Sequence, residues 1–317
     1  MNLLDIFRIL SVSFLSIAIL LNTVILYYFL PTSRKARFNG YFYFITNMAV
    51  ADILTCLTRI ACLSSFMTND VRISEIACRW SEIPFAFCDV SLLMLLGMSF
   101  DRFRKITKPL GKQINRKIGA SLSVFSYCLA FSAHLQFLLV EAYVFVPETR
   151  ICSENISRVK NAMFTIFVVL VFAVSAPMVL IVWFNFSTLR SLKNIKLFDR
   201  DSHNTVANDR MTRLEYTRNL KASKTLRMLM ILAIVTNFIP RAVLTTSFIV
   251  FTMTSIPMLK NLEWLPVFFQ TFCDMVFASC AIHFFVYLKF VKGFRAFILS
   301  RGRDGRNQPR SSSINRD

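Results

Sequence analysis

An acid and an arginine stand side by side where a long apolar run stops. Residues 91–103 read SLLMLLGMSFDRF, ending in Asp101, Arg102 and Phe103, and the basic residues Arg104, Lys105 and Lys108 follow. A charge drawn into hydrocarbon costs a few kcal/mol or more. Such a couple at the rim of an apolar segment is either a working site or the first snorkelling residue of a basic loop. Other ionisable residues lie inside apolar runs: Asp52, Arg59, Asp89, Arg241, Asp274 and His283. Their spacing carries no metal signature. No HExxH or paired CxxC occurs, and His134, His203 and His283 are far apart in the chain. Asp52, Asp89 and Asp274 fall in different apolar runs and no catalytic signature surrounds them, so no enzyme and no cofactor are expected.

The elements that must hold these residues follow from composition. With 317 residues, 55% hydrophobic, 33 of them Phe, and a mean hydropathy of +0.52, the chain describes a membrane protein. A net charge of +19 would suit a nucleic-acid partner if it covered one face. The charges instead sit between apolar spans, which argues against nucleic acid and for a lipid bilayer. Of eight cysteines, Cys56, Cys62, Cys88, Cys128, Cys273 and Cys280 fall inside apolar runs and read as buried thiols. Cys78 and Cys152 fall outside the runs and are the candidate disulfide pair.

Seven segments are long enough to cross a bilayer as helices, which takes about 20 residues. They lie near 9–30, 41–66, 80–103, 118–140, 161–186, 225–253 and 265–288. The expected fold is therefore an all-α membrane protein, a seven-transmembrane helix bundle spanning 9–288. The first segment lacks a cleavage site of small residues and reads as a retained anchor after a short extracellular stretch, 1–8. Lys and Arg concentrate after spans one, three, five and seven, as in Arg34, Lys35 and Arg37, or Lys289, Lys292 and Arg295. The opposite loops balance their few bases with Asp70, Glu75, Glu148, Glu154 and Glu263. By the positive-inside rule the amino terminus is outside and the carboxyl terminus inside. The sequon Asn155-Ile-Ser157 then faces outward as a glycosylation candidate, while Asn185-Phe-Ser187 faces the cytoplasm. Residues 188–224 are basic, lack apolar periodicity and read as a mobile cytoplasmic loop extending the ends of two helices. Phe290, Phe294, Phe297 and Ile298 recur at helical spacing among Lys292, Arg295 and Arg301, predicting a short amphipathic helix over 289–299 on the inner membrane surface. Residues 300–317 form a disordered tail whose Ser311, Ser312 and Ser313 a kinase could reach.

These features in order resemble a rhodopsin-like (class A) G-protein-coupled receptor, a divergent one. The first span holds Asn22; the second reads Asn47-Met48-Ala49-Val50-Ala51-Asp52; the third ends Asp101-Arg102-Phe103. Pro177 and Pro240 lie in the fifth and sixth spans. Tyr287 ends the seventh, followed by Phe294-Arg295. The resemblance covers residues 9 to about 299. It implies that Asp101, Arg102 and Phe103 couple to a heterotrimeric G protein. It also implies that Asp52 lies in a polar cavity with Ser91 and Ser279; the alternative is a structural hydrogen-bond centre with Asn22. Departures from the family pattern are visible. His283-Phe-Phe-Val-Tyr287 stands where the family has Asn-Pro-x-x-Tyr, and His283 is a candidate partner of Asp52 that would make the core respond to protonation. Asn237-Phe238-Ile239-Pro240 replaces Cys-Trp-x-Pro, with Phe238 the candidate switching aromatic or a plain core residue. Asn185 replaces a tyrosine.

The resemblance further implies a two-state bundle, biased by a ligand outside and a G protein inside. At rest Arg102 is expected to pair with Asp101. The inner end of span six, Asn219-Leu220-Lys221-Ala222-Ser223-Lys224, offers it no acid, so raised basal signalling is expected. Arg59, Asp89, Arg241 and Asp274 form the candidate ligand pocket, either as a polar site for a charged ligand or as two internal salt bridges. The residues about five turns above Arg102 are Ile83-Pro84-Phe85, which argues against a biogenic amine. A short peptide is the leading ligand and small chemosensory molecules the second; receptor kinase and arrestin follow as partners. A transporter is the alternative from another class, but its internal repeats are not visible.

Overall fold

In the computed structural model, the described residues are 3–35, 40–68, 70–107, 114–139, 143–146, 151–154, 174–201, 220, 223–254 and 265–304. They form long packed helices: α1 (Leu3–Lys35), α2 (Gly40–Met67), the short α3 (Val71–Arg79), α4 (Ile83–Thr107) and α5 (Arg116–Leu139). A hairpin of β1 (Tyr143–Val146) and β2 (Ile151–Glu154) follows, paired antiparallel with Phe145 opposite Cys152. Then come α6 (Ala176–Asp201), α7 (residues 223–254), α8 (Leu265–Phe290) and α9 (Lys292–Asp304). Among the described residues six helices are long and apolar enough to cross a membrane. The shorter apolar stretch Ala176–Leu192 of α6 makes the seventh.

The outward face shows what solvent the bundle is built for. Leu20, Val124, Val179 and Phe186 are each more than 60% exposed, an apolar exterior that suits lipid tails. Within lipid, packing rather than the hydrophobic effect joins helices, and small residues let backbones approach. Gly97 of α4 illustrates this: a Cβ there would meet the Phe44 ring of α2 at 2.9 Å. Some hydroxyls inside the spans are satisfied within their own helix: Thr55 donates to Ala51 O at 2.9 Å and Thr23 to Ile19 O at 2.8 Å.

Helix starts are written in the sequence. Asp70 caps α3 by accepting the Arg72 N–H at 2.9 Å, and Asn115 caps α5 by accepting that of Ile118 at 2.9 Å. Pro240 cannot donate a backbone hydrogen bond. The turn before it, Ile234–Phe238, is a π-helix in which the Ile239 N–H reaches back to Ile234 O. That widened turn kinks α7. A second π turn at Val174 and Ser175 precedes Pro177.

The α6 helix runs on to Asp201, into the segment read as a loop that extends two helix ends; a helix already nucleated over apolar residues can continue through polar ones. The connection between α2 and α4 holds α3, a nine-residue amphipathic helix too short for a span-length hydropathy reading. The all-α bundle also carries a short hairpin after α5. Asn155, the first part of span five (161–173), residues 202–219 and the tail from 305 lie outside the described residues. The α9 helix runs to Asp304, and its apolar side enters the bundle. Phe294 is fully buried against Phe29, Phe284 and Tyr28, with ring centroids 5.2–5.8 Å apart.

Candidate functional site

The charged residues separate into three levels along the bundle. At the middle, Asp52 of α2 is completely buried. Its Oδ1 accepts from Ser91 Oγ of α4 at 2.7 Å, and its Oδ2 lies 2.7 Å from His283 Nδ1 of α8. Three helices thus meet at one carboxylate, which in this medium needs such partners. Ser279, grouped with Asp52 from sequence, instead donates to Val276 O at 2.9 Å within its own helix. Asn22 is not in the cluster either. Its amide donates to Cys280 O at 2.7 Å and Ala18 O at 3.0 Å, tying α1 to α8. Tyr287, four residues beyond His283 and so on the same face, is fully buried with its edge on Phe29 at 5.6 Å.

Toward the end that carries the disulfide, Cys78 of α3 is bonded to Cys152 of β2, holding the hairpin beside the start of α4. Here Arg241 of α7 pairs with Asp89 of α4, and Arg59 of α2 lies 3.7 Å from Asp274 of α8. Asp274 also accepts from Ser11 of α1 at 2.5 Å and from Gln270 at 2.9 Å. Each guanidinium rests on an aromatic ring: Arg59 on Phe277 at 5.1 Å, Arg241 on Phe85 at 5.4 Å. Those two rings pack together at 5.0 Å. The result is a continuous ladder, Arg59, Phe277, Phe85, Arg241, crossing the bundle with a carboxylate at each end. Of the two alternatives for these four residues, the geometry is that of two internal salt bridges.

Sequence reasoning missed His134. Its Nδ1 lies 2.8 Å from Glu82 and its Nε2 2.9 Å from Asp89. For both contacts to be hydrogen bonds to ionised carboxylates, both ring nitrogens must carry protons. The available signal was the seven-residue spacing of Glu82 and Asp89, which puts them on one face two turns apart. Nothing in the sequence announced that α5 would turn a histidine toward them. Asn237, beside the candidate switch Phe238, was missed as well; its amide donates to Cys88 Sγ at 3.2 Å, across to α4. Phe238 itself is half-buried and packs against the main core.

At the opposite end, Asp101 is buried and accepts from Lys105 Nζ at 2.7 Å. Its other oxygen has no partner among the described residues. The expected pairing of Arg102 with Asp101 is not what forms. Neighbours on a helix point about 100° apart, whereas a residue four places on lies alongside. The Arg102 guanidinium instead lies over the Tyr41 ring of α2, 4.2 Å from its centroid. Phe103 faces Trp183 and Phe184 of α6 at 5.6 and 5.2 Å. Asn185 donates to Ser99 Oγ of α4 at 3.2 Å.

A helical bundle with a buried polar centre between a disulfide-capped end and an Asp-Arg-Phe end is a receptor architecture, and the comparison by family agrees. The family model described as 7 transmembrane receptor (rhodopsin family) matches residues 21–287. The chain therefore belongs to the rhodopsin family of seven-transmembrane receptors. It is a multi-pass membrane receptor and not an enzyme, which also sets aside the transporter reading. No individual curated protein matches the chain.

Proposed function

We propose that this receptor binds a short extracellular peptide at its disulfide end and activates a heterotrimeric G protein at its Asp101-Arg102-Phe103 end. The amino terminus is then outside and the carboxyl terminus inside, with Asn155 open to glycosylation and α9 lying on the inner membrane surface. The tail serines Ser311, Ser312 and Ser313 are substrates for a receptor kinase, followed by arrestin.

The observation that carries the ligand reading is the paired ladder. It offers both signs of charge, from α2, α4, α7 and α8, next to a hairpin held by Cys78 and Cys152. A peptide brings ammonium, carboxylate and amide groups that exchange with such pairs. Exchange would loosen Arg241 on the kinked α7 from Asp89 on α4, and Asp52 with Ser91 and His283 would pass the change to the far end. There Arg102 comes free and α7 swings outward to admit the G protein. A second reading, a small chemosensory ligand, is favoured by the same pairs in another way: both arginines are already neutralised, so an uncharged compound meets no bare charge.

The test is nucleotide exchange on purified G proteins by the receptor in lipid nanodiscs, screened with peptide libraries and with small odorants. Peptides should evoke exchange in the wild type and not in Arg102→Ala. A ligand response that survives Arg102→Ala unchanged overturns the coupling half. A response confined to odorants overturns the peptide half.

A further inference from the structure

We propose that Tyr41 is the resting-state latch of Arg102, doing through an aromatic face what an acid on span six would do through charge. The inference rests on the G-protein reading of Arg102. Arg102 needs a partner, since a guanidinium at the rim of a bundle is stable only when paired or solvated. The nearest acid, Asp101, is engaged by Lys105 at 2.7 Å, and residues 219–224 of span six contain no acid. Among the described residues what remains is Tyr41, 5% exposed, with the guanidinium carbon 4.2 Å from its ring centroid. The ring quadrupole attracts a cation placed over its face, and more strongly where water is excluded. Among the described residues the buried Arg102 Nε has no hydrogen-bond partner, and the ring face is the contact seen for the guanidinium.

The ring is positioned for this by its surroundings. Gly40 lets the start of α2 press against Ile114, just before α5: a Cβ at Gly40 would lie 2.9 Å from Ile114 Cγ2. Phe42 abuts Tyr41 edge-on at 5.8 Å. The latch therefore joins α4 to α2 and holds Arg102 back from the crevice that α7 opens, so releasing it favours the outward position of α7. Raised basal activity, expected from the missing acid alone, is then held down by the ring. Tyr41 is a positioning residue, acting through Arg102.

Two readouts test it. The first is ligand-free nucleotide exchange at matched surface expression. The second is the spacing of α4 and α7 by electron–electron resonance between spin labels at Thr107→Cys and Lys224→Cys, both exposed sites, in a Cys128→Ser background. Tyr41→Leu, or Tyr41→Met where the first expresses poorly, should raise basal exchange roughly 5- to 30-fold and broaden the distances outward. Tyr41→Phe, which keeps the ring face, should match wild type in both. Leu or Met variants indistinguishable from wild type overturn the latch, as does a Phe variant that behaves like Leu. If no variant drives exchange but the spacing still separates Leu from Phe, the latch stands and the G-protein reading falls.

Discussion

The two ends of this bundle handle buried charge in opposite ways. At the disulfide end, charges meet across helices: Arg59 with Asp274, Arg241 with Asp89, His134 between Glu82 and Asp89. At the other end, among the described residues, Asp101 pairs with its own helix neighbour Lys105 and Arg102 rests on a ring. Ion pairs between helices must be broken for the helices to part, whereas a pair within one helix travels with it. The first end is clamped by ion pairs between helices, whereas at the second the contact between helices is a guanidinium on a ring face, an asymmetry that suits a receptor in which docking at one end uncovers the other.

The contrast is broken most severely by Asp89→Ala. It strips both Arg241 and His134 of a buried carboxylate, and removing one partner of a buried pair costs about 3–5 kcal/mol. Thermal unfolding in nanodiscs should show it, with the double variant Asp89→Ala/Arg241→Ala partly restored because no unpaired arginine remains. Equal losses in the single and double variants would mean that the pair is not what the site depends on. A smaller effect sharpens the role of the middle level. His283→Phe takes away the 2.7 Å partner of the buried Asp52 Oδ2, which should lower thermal stability by about 1–3 kcal/mol, with His283→Asn losing less. Equal stability of the wild type and His283→Phe would remove His283 as a holder of that carboxylate. The smallest effect belongs to Glu75→Ala. Its partner Arg79, 2.9 Å away, is half-exposed like itself and sits one turn along α3, so the loss should stay within about 0.5 kcal/mol.

Much of this was legible beforehand because it depends on local composition. The runs of Leu, Ile, Val and Phe announced the spans, Pro240 announced a kink, and Cys78 and Cys152 stood out as the cysteines beyond the apolar runs. The companions of Asp52 were only half legible. Ser91 and His283 reach it, while Ser279, equally suitable by type, is turned one helical position away and bonds to Val276 O. That the fifth span would extend beyond the membrane was readable, but its end at Asp201 was not, because a helix outside lipid tolerates polar composition.

Hydropathy and charge bias by themselves determined that this chain is a membrane bundle, and which residues are too costly to leave unpartnered in it, because those quantities add up along a segment regardless of neighbours. Who partners whom was decided only when the helices packed. Arg102 resting on Tyr41 rather than on the aspartate next to it, and His134 lodged between two acids from another helix, depend on rotations about helix axes. Those rotations are set by shape contacts such as Gly97 against Phe44, which no one segment contains.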